Sequence, residues 1–165
     1  MTPHIDPLGK EHNREVFSCG VEALDYYFKK LASQDVKRHI AAVFVLVIGE
    51  REVAGYYTLS STAIPLEDLP AVIAKKLPKY KHVPATLGRL AVSQKYRGHR
   101  FGELLLVDAV KRSLRQSQEV RAMAVVVDAK DDAAQRFYRQ YNFIPLPQIP
   151  YRLFLPMDTI AKVIE

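Results

Sequence analysis

The residues best suited to chemistry in this chain are Arg97-Gly98-His99-Arg100-Phe101-Gly102-Glu103. They follow the apolar run Gly88-Arg89-Leu90-Ala91-Val92 and precede Leu104-Leu105-Leu106, so they read as a turn between a β-strand and an amphipathic helix. A helix that starts after such a turn offers unpaired backbone N–H groups with its dipole behind them, which favours a phosphate or pyrophosphate. Gly98 and Gly102 allow close approach of a ligand to the backbone, and Arg97, His99 and Arg100 add positive charge at the same place. The pattern implies a phosphorylated cofactor.

Two common phosphate loops do not fit. A Walker loop carries Lys and then Ser or Thr after its last glycine, whereas Glu103 and Leu104 follow Gly102. A dinucleotide fingerprint needs G-x-G-x-x-G, and Gly98 and Gly102 are wrongly spaced for it. The five histidines show no metal-ligand spacing, so no metal is expected. Cys19 precedes a helix with no histidine nearby in sequence, and it reads as structural rather than nucleophilic.

The elements that must position this turn follow from periodicity. Residues 20–38 read as a helix with Val21, Leu24, Phe28 and Leu31 on one face and Lys29, Lys30, Lys37 and Arg38 on or near the polar side. Residues 41–48 and 53–61 read as a hairpin around Gly49-Glu50-Arg51-Glu52. One of Tyr56 and Tyr57 is expected to face the core, and either could line an acceptor pocket. Residues 66–77 read as a short amphipathic helix stopped by Pro78. A strand over 85–92 precedes a helix over 101–116 whose apolar face is Phe101, Leu104, Leu105, Val110 and Leu114. Residues 120–127 read as a buried strand, and 131–141 as a helix turning Ala133, Ala134, Phe137 and Tyr141 to the core. Asp128, Asp131 and Asp132 read as its beginning or cap. A strand over 151–155 and a short C-terminal helix follow. This order predicts an α/β (α+β mixed) sheet covered by helices, as one domain over residues 1–165.

The turn resembles the coenzyme A pyrophosphate loop of the GNAT superfamily of N-acetyltransferases, Gln/Arg-x-x-Gly-x-Gly/Ala. Arg97 takes its first position and Gly102 its last, while Arg100 replaces the central glycine. If that position needs a positive φ, Arg100 is strained there; if not, its guanidinium adds a contact to the cofactor phosphates. The resemblance runs through Phe17-Ser18-Cys19-Gly20, Gly55-Tyr56-Tyr57-Thr58-Leu59-Ser60, Val127-Asp128-Ala129-Lys130-Asp131, Phe137-Tyr138-Arg139-Gln140-Tyr141-Asn142-Phe143 and Phe154-Leu155-Pro156-Met157. Together these are similar to the branch of toxins, from type II toxin–antitoxin pairs, that acetylate aminoacyl-tRNA.

The resemblance implies a mostly antiparallel central sheet, splayed at the cofactor site and flanked by helices. It implies acetyl-CoA as cofactor, with the acetyl group beside Leu90-Ala91-Val92, where a backbone N–H freed by the splay would stabilise the oxyanion. Arg97, Gly98, His99, Arg100, Phe101, Gly102 and Glu103, with Asp131 and Phe137, are the other expected cofactor contacts. Tyr138 matches the catalytic tyrosine, which would protonate the leaving thiolate. Lys29, Lys30, Arg38 and Arg89 are expected to meet the substrate. The implied partners are aminoacyl-tRNA, a small antitoxin of ribbon-helix-helix type and a second copy of the chain as a homodimer.

Composition sets further bounds. The net charge is +6, and no acidic residue occurs between Leu69 and Gly102, where Lys75, Lys76, Lys79, Lys81, Arg89, Lys95, Arg97 and Arg100 lie. The lysines around Pro78 are a soluble basic surface or an RNA contact. One cysteine permits no internal disulfide, and the N-terminus lacks the features of a secretory signal, so a cytoplasmic setting is expected. No general base stands out. A lysine amine, with a pKa of about 10.4, would want one; an α-amine at about 7.7–8.0 wants it less. That favours aminoacyl-tRNA as acceptor; a small-molecule or protein amine is the alternative, and a non-catalytic coenzyme A-binding module a further one.

Overall fold

The strand β2, Ala42–Ile48, is apolar at every position because both of its faces are covered. Val43, Val45 and Val47 enter one apolar cluster, and Phe44 and Leu46 enter another. This is the period-2 alternation of a strand read onto two cores. The computed structural model describes residues 2–164.

Seven strands pair in the order β1-β2-β3-β4-β5-β7-β6. Their ranges are β1 His4–Pro7, β2, β3 Glu52–Pro65, β4 His82–Val92, β5 Ala124–Asp128, β6 Ile144–Pro145 and β7 Arg152–Pro156. β1 with β2, β2 with β3, β5 with β7 and β6 with β7 are antiparallel. β4 and β5 are parallel from Thr86↔Val125 to Gly88↔Val127. The helices are α1 Glu22–Tyr26, α2 Ala32–Lys37, α3 Ala71–Ala74, α4 Phe101–Gln116, α5 Asp132–Gln140 and α6 Met157–Ile164. This is the mixed α/β fold expected, with its mostly antiparallel sheet.

The chain forms two compact units. The first runs to Ser60 and includes Arg89–Ala109. On one face of β2 and β3, Phe17, Phe28 and Tyr56 interlock, with Phe28 and Tyr56 stacked at 4.4 Å. On the other, Phe44 and Tyr57 meet Leu105 and Ala109 of α4. Tyr56 and Tyr57 are therefore both core residues, which corrects the expectation that one faces the core. Each buried phenol is satisfied: Tyr56 donates to the Leu24 carbonyl at 2.8 Å and Tyr57 to Asp108 at 2.6 Å. The register between β2 and β3 shifts at Leu46/Val47, where Gly55 pairs with Leu46 and Val53 with Val47. That bulge puts Val53 and Tyr56, three apart, on the same face. Gly55 itself has no room for a side chain, since an added Cβ would lie 2.7 Å from Leu105 Cδ1 and 2.9 Å from the Ala91 carbonyl.

The helix expected over residues 20–38 is interrupted by a π-turn at Tyr27–Leu31. The extra residue per turn rotates the chain, so Ala32 is buried where Leu31 was expected inward, and Leu31 is exposed. The apolar stripe of α4 also differs from expectation. It runs through Leu105, Leu106, Ala109 and Val110, and Leu104 lies beside it, 42% exposed.

The second unit comprises Ser61–Gly88 and the chain from Val110 onward. Its core gathers Ile64, Leu69, Val83, Ala85, Ala124, Val126, Leu146 and Phe154. The helix expected over 66–77 is shorter, a 3₁₀ turn Leu66–Asp68 and then α3. Leu69 is extended because it precedes Pro70. β5 starts at Ala124, not at Val120, because residues 117–120 continue as turns from the end of α4 and leave Val120 74% exposed. In α5 the buried residue is Tyr138; Ala133 faces solvent, while Ala134, Phe137 and Tyr141 are partly buried. Tyr151 precedes β7 and is exposed.

Removing the Phe28 ring from its stack lowers the unfolding free energy by about 3–5 kcal/mol in Phe28→Ala, whereas Leu104→Ala costs under about 1 kcal/mol. Urea unfolding of both variants checks this. Equal losses would contradict the placement of Leu104 outside the core.

Candidate active site

The turn before α4 is built by backbone conformation. Gly98 has φ +87° and Arg100 has φ +60°. Arg100 thus adopts the left-handed conformation that the loop glycine would occupy, and the strained alternative at this position is the one observed. A Cβ added at Gly98 would meet nothing within 4 Å, so the space above this residue is open. The first α4 bond runs from the Leu104 N–H to the Arg100 carbonyl at 3.2 Å. The N–H groups of Phe101, Gly102 and Glu103 precede that bond and have no carbonyl four residues back within the helix. A helix of 16 residues stands behind them. Open backbone at Gly98, the start of a helix and adjacent cations fit a pyrophosphate.

The side chains of this turn do more holding than reaching. Arg97 Nη2 donates to the Cys19 carbonyl at 2.7 Å, and the Gln94 N–H donates to the Ser18 carbonyl at 2.8 Å. The Phe17-Ser18-Cys19-Gly20 segment therefore docks on the turn, with Cys19 buried and its N–H donating to Asp25 at 2.9 Å. His99 Nδ1 lies 3.0 Å from the Tyr96 carbonyl and 3.2 Å from the Arg97 carbonyl. Two acceptors there require that Nδ1 carry the proton, which leaves Nε2 pointing away. The His99 ring stacks on Phe101 at 5.4 Å, and Tyr96 packs against both. Glu52 anchors the far side by accepting from Lys95 at 2.8 Å and from the Tyr96 phenol. Those two bonds, Lys95 first, hold the Glu52 carboxyl below its usual range.

β4 carries Leu90, Ala91 and Val92 to this turn. The Ser93 N–H donates to Ala54 of β3 at 2.8 Å. By alternation along a strand, the N–H groups of Leu90 and Val92 face the opposite edge. The ladder on that edge ends at Gly88↔Val127, four residues before β4 does. The strand residues expected to carry a free N–H donor thus lie past the end of the parallel ladder.

Tyr138 lies in the second unit, on α5. It is 5% exposed, with the rings of Phe137 and Phe143 each 5.4 Å away. Burial, and then the Asp128 charge, push its phenol pKa well above the usual value, so it holds its proton at neutral pH. Asp131 caps α5, its carboxylate accepting from the Ala134 N–H at 2.8 Å. Asp128 is engaged by Arg152 through two bonds, at 2.7 and 2.9 Å.

The residues expected to meet the substrate are dispersed over the first unit. Lys29 and Lys30 line an open depression of about 420 Å³ with Gly20, Glu22, Asp25 and Tyr26. Arg38 lines another, of about 500 Å³, with Ser33, Gln34 and Lys37. Arg89 is exposed and stacks its guanidinium on Tyr27 at 4.2 Å. Tyr27 in turn donates to Asp35 at 2.8 Å, and burial with that bond raises its pKa to about 12. Sequence reasoning missed this Arg89–Tyr27–Asp35 chain. Asp35 lies eight residues beyond Tyr27 across a π-turn, so no i, i+4 spacing marks the pair.

The acetyltransferase (GNAT) domain family matches residues 40–145. The chain belongs to this family of acetyltransferases, enzymes whose acyl donor is acetyl-CoA. It is 31% identical over 169 residues to the probable toxin TacT of Sinorhizobium fredii, covering 96% of this chain and 93% of that protein. It is 33% identical over 149 residues to the tRNA-acetylating toxin of Mycobacterium tuberculosis, covering 90% and 88%. Its fold is similar to that of AtaT complexed with acetyl-methionyl-tRNAfMet, with TM-score 0.90, 27% identity and coverage of 99% and 100%. AtaTR bound with acetyl-CoA gives TM-score 0.84 at 27% identity, covering 99% and 98%.

Two outcomes follow from the geometry of the turn. Arg100→Gly raises the unfolding free energy and Gly98→Ala lowers it, each by about 1 kcal/mol, because only glycine is unstrained at these φ values. Reversed signs in denaturant titrations would contradict the conformation. Glu52 has a folded pKa below its unfolded value, so its contribution is present above the ordinary value of 4.5 and is lost as pH falls through the folded value. Between pH 7 and 3 the Tm of the parent therefore falls more steeply than that of Glu52→Gln. Parallel curves would dismiss the Glu52–Lys95–Tyr96 bonds as a stabilising group.

Proposed function

We propose that this acetyltransferase modifies the α-amine of aminoacyl-tRNA, and so blocks translation as the toxin of a toxin–antitoxin pair. The observation that carries the reading is the similarity, over nearly the whole chain, to proteins named as a toxin and a tRNA-acetylating toxin. The chemistry supports it. The three carboxylates around the start of α5 are engaged elsewhere: Asp128 is paired with Arg152, Asp131 caps the helix and Asp132 accepts from Tyr151. An α-amine, already partly neutral at pH 7, needs little base help.

Acetyl-CoA supplies an activated acyl group. The turn at residues 97–103 binds its pyrophosphate through backbone N–H groups, with His99 and Arg100 adding charge and Phe101 shaping the wall. The N–H of Leu90 or Val92 stabilises the developing oxyanion, with Ala91 between them. Tyr138 holds its proton for the leaving sulfur, and Asp131 and Phe137 beside it contact the cofactor. Lys29, Lys30, Arg38 and Arg89 meet the acceptor end of the RNA. The working form is a homodimer in the cytoplasm, neutralised by a small antitoxin of ribbon-helix-helix type.

Labelled acetyl from acetyl-CoA is expected on charged tRNA and absent from uncharged tRNA, and it should leave with the amino acid under mild alkali. Label on small-molecule or protein amines with none on charged tRNA would overturn the substrate assignment. Tyr138→Phe is expected to lower kcat about 10²–10⁴-fold with the KM for acetyl-CoA little changed. Full activity in that variant would remove Tyr138 from the mechanism.

A further inference from the structure

In the second unit, α3 and the loop after it carry a basic strip that the reaction described above does not use. Ile73, Ala74 and Leu77 pack on the cluster of Ile64, Leu69, Val83 and Phe154. This leaves Lys75 and Lys76 exposed at the end of α3, and Lys79, Tyr80, Lys81 and His82 are exposed after Pro78. The backbone is pinned along its length. The Lys75 N–H donates to the Ala71 carbonyl at 3.0 Å, the Tyr80 N–H to the Pro78 carbonyl at 2.9 Å and the Leu66 N–H to the Lys81 carbonyl at 2.9 Å. Held this way, the backbone of the segment needs little further ordering on binding.

The chemistry of the strip is specific in two respects. Among the described residues, none of the four lysines has a carboxylate within ion-pair distance, although Glu67 and Asp68 lie just beyond Leu66. Tyr80, set between Lys79 and Lys81, is 71% exposed. Lysines neutralise phosphates, and an exposed aromatic ring among them stacks on an unpaired base. An anionic membrane would instead call for a continuous apolar face, and α3 exposes one large apolar side chain, Val72.

We infer that Lys75, Lys76, Lys79, Tyr80 and Lys81 form a docking surface for RNA, on which the lysines meet backbone phosphates and Tyr80 stacks on an unpaired base. That the RNA is tRNA rests on the function proposed above.

The test uses the full chain and bulk uncharged tRNA, titrated at several salt concentrations, with circular dichroism to verify folding. In the variant carrying Lys→Gln at 75, 76, 79 and 81, tRNA affinity should fall at least about tenfold, and the slope of log K against log salt should shrink by about 3. Tyr80→Ala should weaken binding about three- to tenfold, while Tyr80→Phe keeps it. The KM for charged tRNA should rise in the quadruple variant with kcat unchanged, and acetylation of an aminoacyl-adenosine should not change. Parent-like affinity and salt slope in the quadruple variant would overturn the inference. So would intact tRNA binding with lost affinity for a protein antitoxin. If the parent acetylates no charged tRNA yet loses RNA binding on Lys→Gln substitution, the proposed function fails and the docking surface stands.

Discussion

The first unit depends on how the chain enters α4. Two residues with positive φ, Gly98 and Arg100, turn the backbone into the helix, whose Leu104 N–H donates to the Arg100 carbonyl. Two anchors hold the entry in place. Arg97 reaches back to the Cys19 carbonyl, and Glu52 grips Tyr96 and Lys95. Behind it, Leu105 presses against Gly55, where any side chain would collide. The close approach at Gly55 and the docking of Cys19 on Arg97 both bear on this one helix end.

The turn presents backbone more than side chains. Arg97, first in the loop pattern, spends its guanidinium on a carbonyl rather than offering it to a ligand. His99 is likewise tied to two carbonyls through Nδ1. Arg100 adopts a conformation that glycine would adopt at lower strain. In the second unit, burial and then the Asp128 charge raise the Tyr138 phenol pKa further above neutrality.

Much of this was legible in the sequence. The limits of α4, the strand before it and the Asp131 cap follow from periodicity and capping chemistry. What was not legible depends on tertiary packing. Leu31 and Ala32 exchange places because a π-turn has no local sequence signal. Tyr56 and Tyr57 are both buried because helices cover both faces of β3, which alternation in a single strand does not reveal. Val120 is β-branched and apolar, yet it lies in the turns that extend α4. Arg89, Tyr27 and Asp35 meet only after three separate elements fold.

The central claim is that the amides of residues 98–102 bind the cofactor phosphates. Hydrogen exchange at those amides, with and without saturating acetyl-CoA, tests it most directly. Leu104, already bonded to Arg100, serves as the internal reference. The account predicts exchange slowed at least about tenfold at residues 98–102, with a smaller change at Leu104. Unchanged exchange at these amides, in a protein shown to bind acetyl-CoA, would contradict it.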